Sequence, residues 1–169
     1  LFAASLWIGG YNTETNQLHM SAERFNQGNS DPLSTYSYDF LTGPLTIGSG
    51  TCDTATSIDF NKIWKIDKSD ILAHISNIEN GTDYYVSPDL YSWPGNGPEG
   101  YPEILAPFYD ADADGIYEPY QGDYPELRGD QMLWWITNDV IAPHNSTDGI
   151  PMGVEMQYTL YSYSFENPA

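Results

Sequence analysis

The chain has 169 residues, with 24 acidic against 5 basic side chains and a net charge of −19. That balance excludes the electrostatic attraction on which nucleic-acid binding or docking to an anionic membrane rests, and it suits a solvated extracellular protein that takes up divalent cations. With 14 Tyr and 5 Trp it is too aromatic for a disordered acidic chain, and Cys52, its one cysteine, can form no internal disulfide.

Leu1 opens the chain without Met or leader, so a processed or partial product is expected. Leu1–Ile8 is apolar and aromatic, and Gly9-Gly10 breaks it. Gln17–Phe25 alternates loosely after the polar turn Asn12–Asn16, which predicts a β-hairpin. Asn26–Asp31 reads as a loop. Tyr36, Tyr38 and Phe40 alternate with polar residues, which predicts a strand. Thr42–Thr56, rich in Gly, Ser and Thr, reads as loop. Phe60, Ile63, Trp64 and Ile66 form an apolar patch. Ser69 as N-cap, then Ile71, Leu72, Ile75 and Ile78 at helical spacing, predict one short helix ended by Asn80-Gly81, its apolar stripe in the core. Tyr84–Gly100 is long and irregular. Met132–Ile136 reads as a buried strand, and Asn138–Gly149 as a loop. Val154 to Phe165 alternates with a change of parity at Leu160, which predicts a strand with a bulge there. Short strands, one short helix and long Gly/Pro-rich loops together predict a single domain over 1–169. It is mainly β, a β-sandwich of jelly-roll or Ig-like type. No apolar run is long enough to insert in a membrane as a helix.

Asp110–Asp123 carries the strongest motif. Asp110, Asp112 and Asp114 alternate, Gly115 follows, and Glu118 comes four residues later. Ca2+ is a hard cation that takes six to eight oxygens in a flexible cage. Alternate residues of a tight loop can turn three carboxylates inward, with Ile116 adding its carbonyl and Glu118 closing the cage. Asp123 is an additional ligand candidate. Gln121 stands where an EF-hand places its bidentate Glu, so the shorter interstrand type of calcium loop fits better. Three spaced carboxylates without a cation repel one another; the competing reading is a solvated acidic turn.

Elsewhere the chemistry is sparse. His19, His74 and His144 show no metal-ligand spacing, and no nucleophile elbow, phosphate loop or Cys/His signature is present. The aromatics Tyr91, Trp93, Tyr101, Tyr120 and Tyr124 flank the acidic loop. Of these, Trp93, Tyr120 and Tyr124 are candidates to stack on a carbohydrate. Asn80 and Asn145 begin Asn-x-Thr acceptor patterns, and Thr54 lies in an Asp-Thr-Ala acceptor pattern, so all three are candidate glycosylation sites.

The sequence resembles a recurrent segment of large secreted proteins of Bacteroidota, of the kind exported to the cell surface by the type IX, gliding-associated route. The resemblance rests on Leu1–Gly10, Ile63-Trp64-Lys65, Trp93-Pro94-Gly95, Ala106-Pro107-Phe108 running into Asp110–Pro119, Gly122-Asp123-Tyr124-Pro125, Trp134-Trp135 and Pro151-Met152-Gly153. It implies an exported surface or released protein with a calcium loop at Asp110, Asp112, Asp114 and Glu118, and it implies no activity. The pattern departs in lacking a long C-terminal region and sorting domain. The expectation is a non-catalytic, calcium-stabilised module. It polymerises with its own copies by strand addition through Leu1–Ile8 and Val154–Phe165. The alternative is a carbohydrate-binding module of a secreted adhesin or enzyme.

Overall fold

A computed structural model describes residues 5–23, 39–81 and 83–165. The expected strand at Tyr36–Phe40 and the loop Asn26–Asp31 lie wholly or largely outside these residues, as do Leu1–Ala4 of the first strand. Among the described residues strand exceeds helix, 26% against 17%, and the strands form antiparallel sheets, with one isolated parallel bridge between His19 and Ile150, so the fold is mainly β. A single domain was expected over 1–169, whereas the chain groups into two compact units. One runs up to Asn61 and takes in Ile136–Met156; the other comprises Lys62–Trp135 and the residues from Gln157.

In the first unit, β1 (Trp7–Tyr11) and β2 (Leu18–Ala22) form the expected hairpin, with Trp7 opposite Ala22 and Tyr11 opposite Leu18, but β1 runs through Gly9-Gly10, where a break was expected, because both glycines pair with β2. Asn12 closes the turn by accepting the N–H groups of Glu14 and Thr15. β3 (Leu41–Thr42) pairs with the end of β7 (Gln131–Asn138), Leu41 opposite Asn138. A short helix, α1 (Thr54–Asp59), stands where loop was expected. Asp53 caps it, one carboxylate oxygen accepting Thr56 N–H at 2.9 Å and the other its hydroxyl at 3.1 Å.

Two buried carboxylates organise the rest of this unit. Asp39 accepts from the N–H groups of Ala22, Asn145 and Ser146 and from the Thr147 hydroxyl. Asp139 accepts from the Ser21 hydroxyl and the N–H groups of Met152, Gly153 and Val154. Each draws together loop backbone that no strand partner satisfies. Burial pushes the Asp39 carboxyl pKa up, but the donors from Ser146, Ala22 and Thr147, with His144 nearby, outweigh it and leave it below the usual value.

In the second unit, β4 (Trp64–Asp67) pairs with the start of β7, Trp64 opposite Trp134, and leads directly into α2 (Lys68–Glu79). Ser69 is therefore not the N-cap. It lies within the first turn, and the cap position belongs to Asp67, whose side chain makes no cap bond. The Asp67 carboxylate is held by Gln131 and Lys65, while Lys68 N–H donates to Asp130 C=O at 3.0 Å. The expected Ile/Leu stripe is also shifted: Ile71 and His74 are the buried residues, and Leu72 is 58% exposed. The helix ends as expected, with Asn80 as C-cap and Gly81 at φ +59.

Along β7 burial alternates strictly. Met132 and Trp134 face the core of this unit, and Trp135 on the other face stacks on Tyr158 of β8 (Glu155–Ser162) at 4.8 Å. Met132–Ile136 is thus half-buried rather than wholly buried. β8 pairs with β7 and continues unbroken past Leu160. From Thr159 on its residues are exposed, so no buried face holds the parity that the sequence changes there. Trp134 is also the centre of an aromatic cluster, with Trp64 and Trp93 at centroid distances of 5.5 and 5.6 Å. A four-residue helix, α3 (Pro88–Tyr91), buries Leu90 beside it. Finally β5 (Phe108–Tyr109) and β6 (Tyr124–Pro125) pair and close the acidic loop between them.

Candidate metal centre

The β5–β6 pair fixes both ends of the loop 110–123, so Asp110 and Asp123 are brought close by strand pairing rather than by sequence spacing. Inside the loop the carboxylates replace regular structure. Asp110 accepts Ala113 N–H at 2.7 Å and Gly115 N–H at 2.8 Å. Asp114 accepts Ile116 N–H at 2.7 Å. Asp123, 1% exposed, accepts Ala111 N–H at 2.9 Å with one oxygen and Glu118 N–H at 2.7 Å with the other. Gly115 supplies the positive φ of +82 that the turn requires, and Ala113 adopts φ +62 despite its Cβ.

Asp110, Asp112 and Asp123 each bring a carboxylate oxygen within 4.8 Å of the others, and this triad can hold a metal ion. Asp114 and Glu118 are not among the gathered carboxylates. The Asp114 carboxylate takes the N–H of Ile116, and Glu118 accepts the Gln121 amide at 3.0 Å. Asp123, the additional candidate in the sequence, is thus central. The signal for it was the strand-like Tyr124-Pro125 after it, which pairs back to Phe108-Tyr109.

The electrostatics fit a site short of positive charge. The Asp110 carboxyl sits below its usual pKa because Gly115 and Ala113 donate to it. Asp112 sits above, through desolvation first and then the charges of Asp114 and Asp110. Behind Asp123, His74 is 2% exposed. Its Nδ1 meets the Tyr84 hydroxyl, and among the described residues its Nε2 makes no hydrogen bond of good geometry, the Asp123 backbone being a neighbour. Burial holds this imidazole below its usual pKa, and nearby Asp123 opposes the shift. His74 gave no sequence signal because its neighbours come from loop 83–87 and β6.

Next to the loop, Asn96 accepts Tyr117 N–H and donates to the carbonyls of Glu103 and Gly115, each at 2.8 Å. Tyr117 packs edge-on to Phe108 and donates its hydroxyl to Leu90 C=O. A Cβ on Gly95 would meet Tyr117 at 2.7 Å and Phe108 at 2.8 Å, so only glycine fits there.

The carbohydrate candidates divide. Trp93 is 4% exposed, its Nε1 donates to Pro107 C=O, and its ring lies on Trp134. It is a core residue and cannot stack on a sugar, which corrects its expected role; Tyr101 is buried as well. Tyr120 is exposed and edge-on to Tyr91, and Tyr124 is stacked on Tyr109 at 4.7 Å. The glycosylation candidates Thr54, Asn80 and Asn145 are exposed. Thr54 begins α1, and the Asn80 amide donates to Ser76 C=O. Among the described residues no helix is long and apolar enough to cross a membrane. Comparison with protein-family models, curated sequences and solved structures gave no match.

Proposed function

We propose that the chain is a non-catalytic structural module of an extracellular surface protein, of β-sandwich type, stabilised by calcium and assembling with its own copies into fibres or an adhesive layer. The observation that carries this reading is the convergence of Asp110, Asp112 and Asp123, one of them buried, on a loop closed by a strand pair. An all-carboxylate donor set suits a hard cation, and an irregular exposed loop suits calcium better than magnesium, which demands near-ideal octahedral geometry. The resemblance to exported Bacteroidota proteins points to the same setting. Assembly by strand addition would use the end strands β1 and β8. Among the described residues β1 belongs to a two-stranded ribbon, and such an edge is a template for another chain.

The test is thermal denaturation in calcium, in magnesium and in chelator. A ligand that binds only the folded state stabilises it by about 2.7 kcal/mol at a hundredfold excess over Kd. A calcium-specific rise in Tm is expected, and a melting curve indifferent to calcium and chelator overturns the metal reading. Electron microscopy of native material should show filaments that lose order on chelation.

The exposed Tyr91–Tyr120 pair favours carbohydrate binding as the second reading. Tyr120→Ala would then abolish retention on a glycan that the parent protein binds, with no change in Tm.

A further inference from the structure

A groove of about 420 Å³ lies beside the acidic loop. Asp114 and Ile116, both ligand candidates by spacing, line it together with Glu103 and Ile104. Ile104 is 63% and Ile116 55% exposed, so two branched apolar side chains and two carboxylates share one concave surface. Asn96 fixes its walls, because one amide donates to both the Glu103 and the Gly115 carbonyl. Such a surface is complementary to a cation carried beside an apolar side chain.

The chain itself presents that combination. Of the described basic residues, Lys62 pairs with Asp89, Lys65 with Asp67 and Lys68 with Asp130. Arg128 alone among them has no ion pair, and it is exposed beside half-buried Leu127. Its turn is fixed on both sides, by Glu126 N–H on Pro107 C=O and by Asp130 N–H on Ser162 C=O. Arg128 does not line the groove, so occupancy requires a second molecule.

We propose that the Leu127-Arg128 turn of one copy docks in the Glu103/Ile104/Asp114/Ile116 groove of the next. The contact joins two different surfaces, so it is heterologous and repeats without closing unless the rotation forms a ring. In a chain of net charge −19 it places a cation against carboxylates where two copies meet. It rests on the self-assembly reading above and adds a side-chain contact to strand addition. Because the groove wall includes Asp114 and Ile116, ordering of the acidic loop by calcium also orders the docking surface.

The experiment compares sedimentation of wild type, Arg128→Glu and Glu103→Lys over a range of concentrations in calcium, with circular dichroism confirming folding. Each variant alone sets like charges against each other and is expected to remain monomeric where wild type assembles. Mixed in equal amounts, each variant offers the other the opposite charge at both contacts, and assembly is expected to return. Variants that assemble alone as wild type does overturn the inference and leave the self-assembly reading standing. A mixture that stays monomeric overturns it too. Wild type that is monomeric at every concentration sinks the self-assembly reading and this contact with it. A groove that then retains a synthetic Leu-Arg-Gly peptide identifies a different protein as its occupant.

Discussion

Asp123 and Asp112 carry the same functional group in the same triad, yet their surroundings predict different behaviour. Asp123 is buried and uses both oxygens on backbone N–H groups, so it is a structural acceptor before it is a ligand. Asp123→Asn turns one acceptor into a donor and leaves a buried N–H unpaired, a loss of about 1–3 kcal/mol that should appear with or without calcium. Asp112 is exposed, and its raised pKa records desolvation and the neighbouring negative charges. Asp112→Ala removes repulsion as well as a ligand. Its Tm in chelator should equal or exceed the parent's, while calcium should no longer raise it. Denaturation of both variants in calcium and in chelator separates the roles, and an Asp112→Ala protein that keeps the full calcium increment is not missing a ligand. Between them Ala113 is held at φ +62 by the Asp110 carboxylate. Ala113→Gly should therefore stabilise the metal-free protein by up to about 1 kcal/mol, read as a rise in Tm.

At the scale of elements, α1 depends on a single cap. Its six residues include no acidic residue in the first turn and no basic one in the last, so Asp53 is its principal local support. Asp53→Ala should cost about 1 kcal/mol, whereas Thr54→Ala, at an exposed position, should leave Tm unchanged. Equal effects of the two would mean that the cap bond contributes nothing. The same element shows what the sequence hid. Asp53 and Thr56 stand at cap spacing, but the Gly/Ser/Thr composition before them favoured loop and masked a helix of less than two turns. Hairpin, helix α2 and acidic loop were legible because turn residues, periodicity and carboxylate spacing are local. What escaped was set by tertiary partners. Trp93 looks like a loop-tip aromatic until Trp134 covers it. His74 looks isolated until Tyr84 and Asp123 surround it. Asp39 is held by the N–H groups of Asn145 and Ser146, more than a hundred residues away in sequence.

For the whole molecule, calcium and protons are proposed to address two different parts of the chain. Calcium would act on the loop 110–123, whose amides at Ala111, Ala113, Gly115 and Glu118 donate to the acidic side chains there. Protons act on Asp39, whose pKa lies below its unfolded value, so its stabilisation is complete well above that value. It begins to fall as pH approaches about 4 and is lost as pH drops through the lower, folded pKa. Amide exchange, corrected for its intrinsic pH dependence, reads both effects residue by residue. At neutral pH chelation should speed exchange at Ala111, Ala113, Gly115 and Glu118 more than at Ala22, Asn145 and Ser146, which donate to Asp39. In calcium, acidification below about pH 4 should speed exchange at those Asp39 donors. Local opening has its own free energy, smaller than that of global unfolding, so the two sets can respond separately. Equal acceleration of both sets by chelator would mean that the metal acts through global unfolding, and the loop would then be a determinant of the entire fold rather than of one surface.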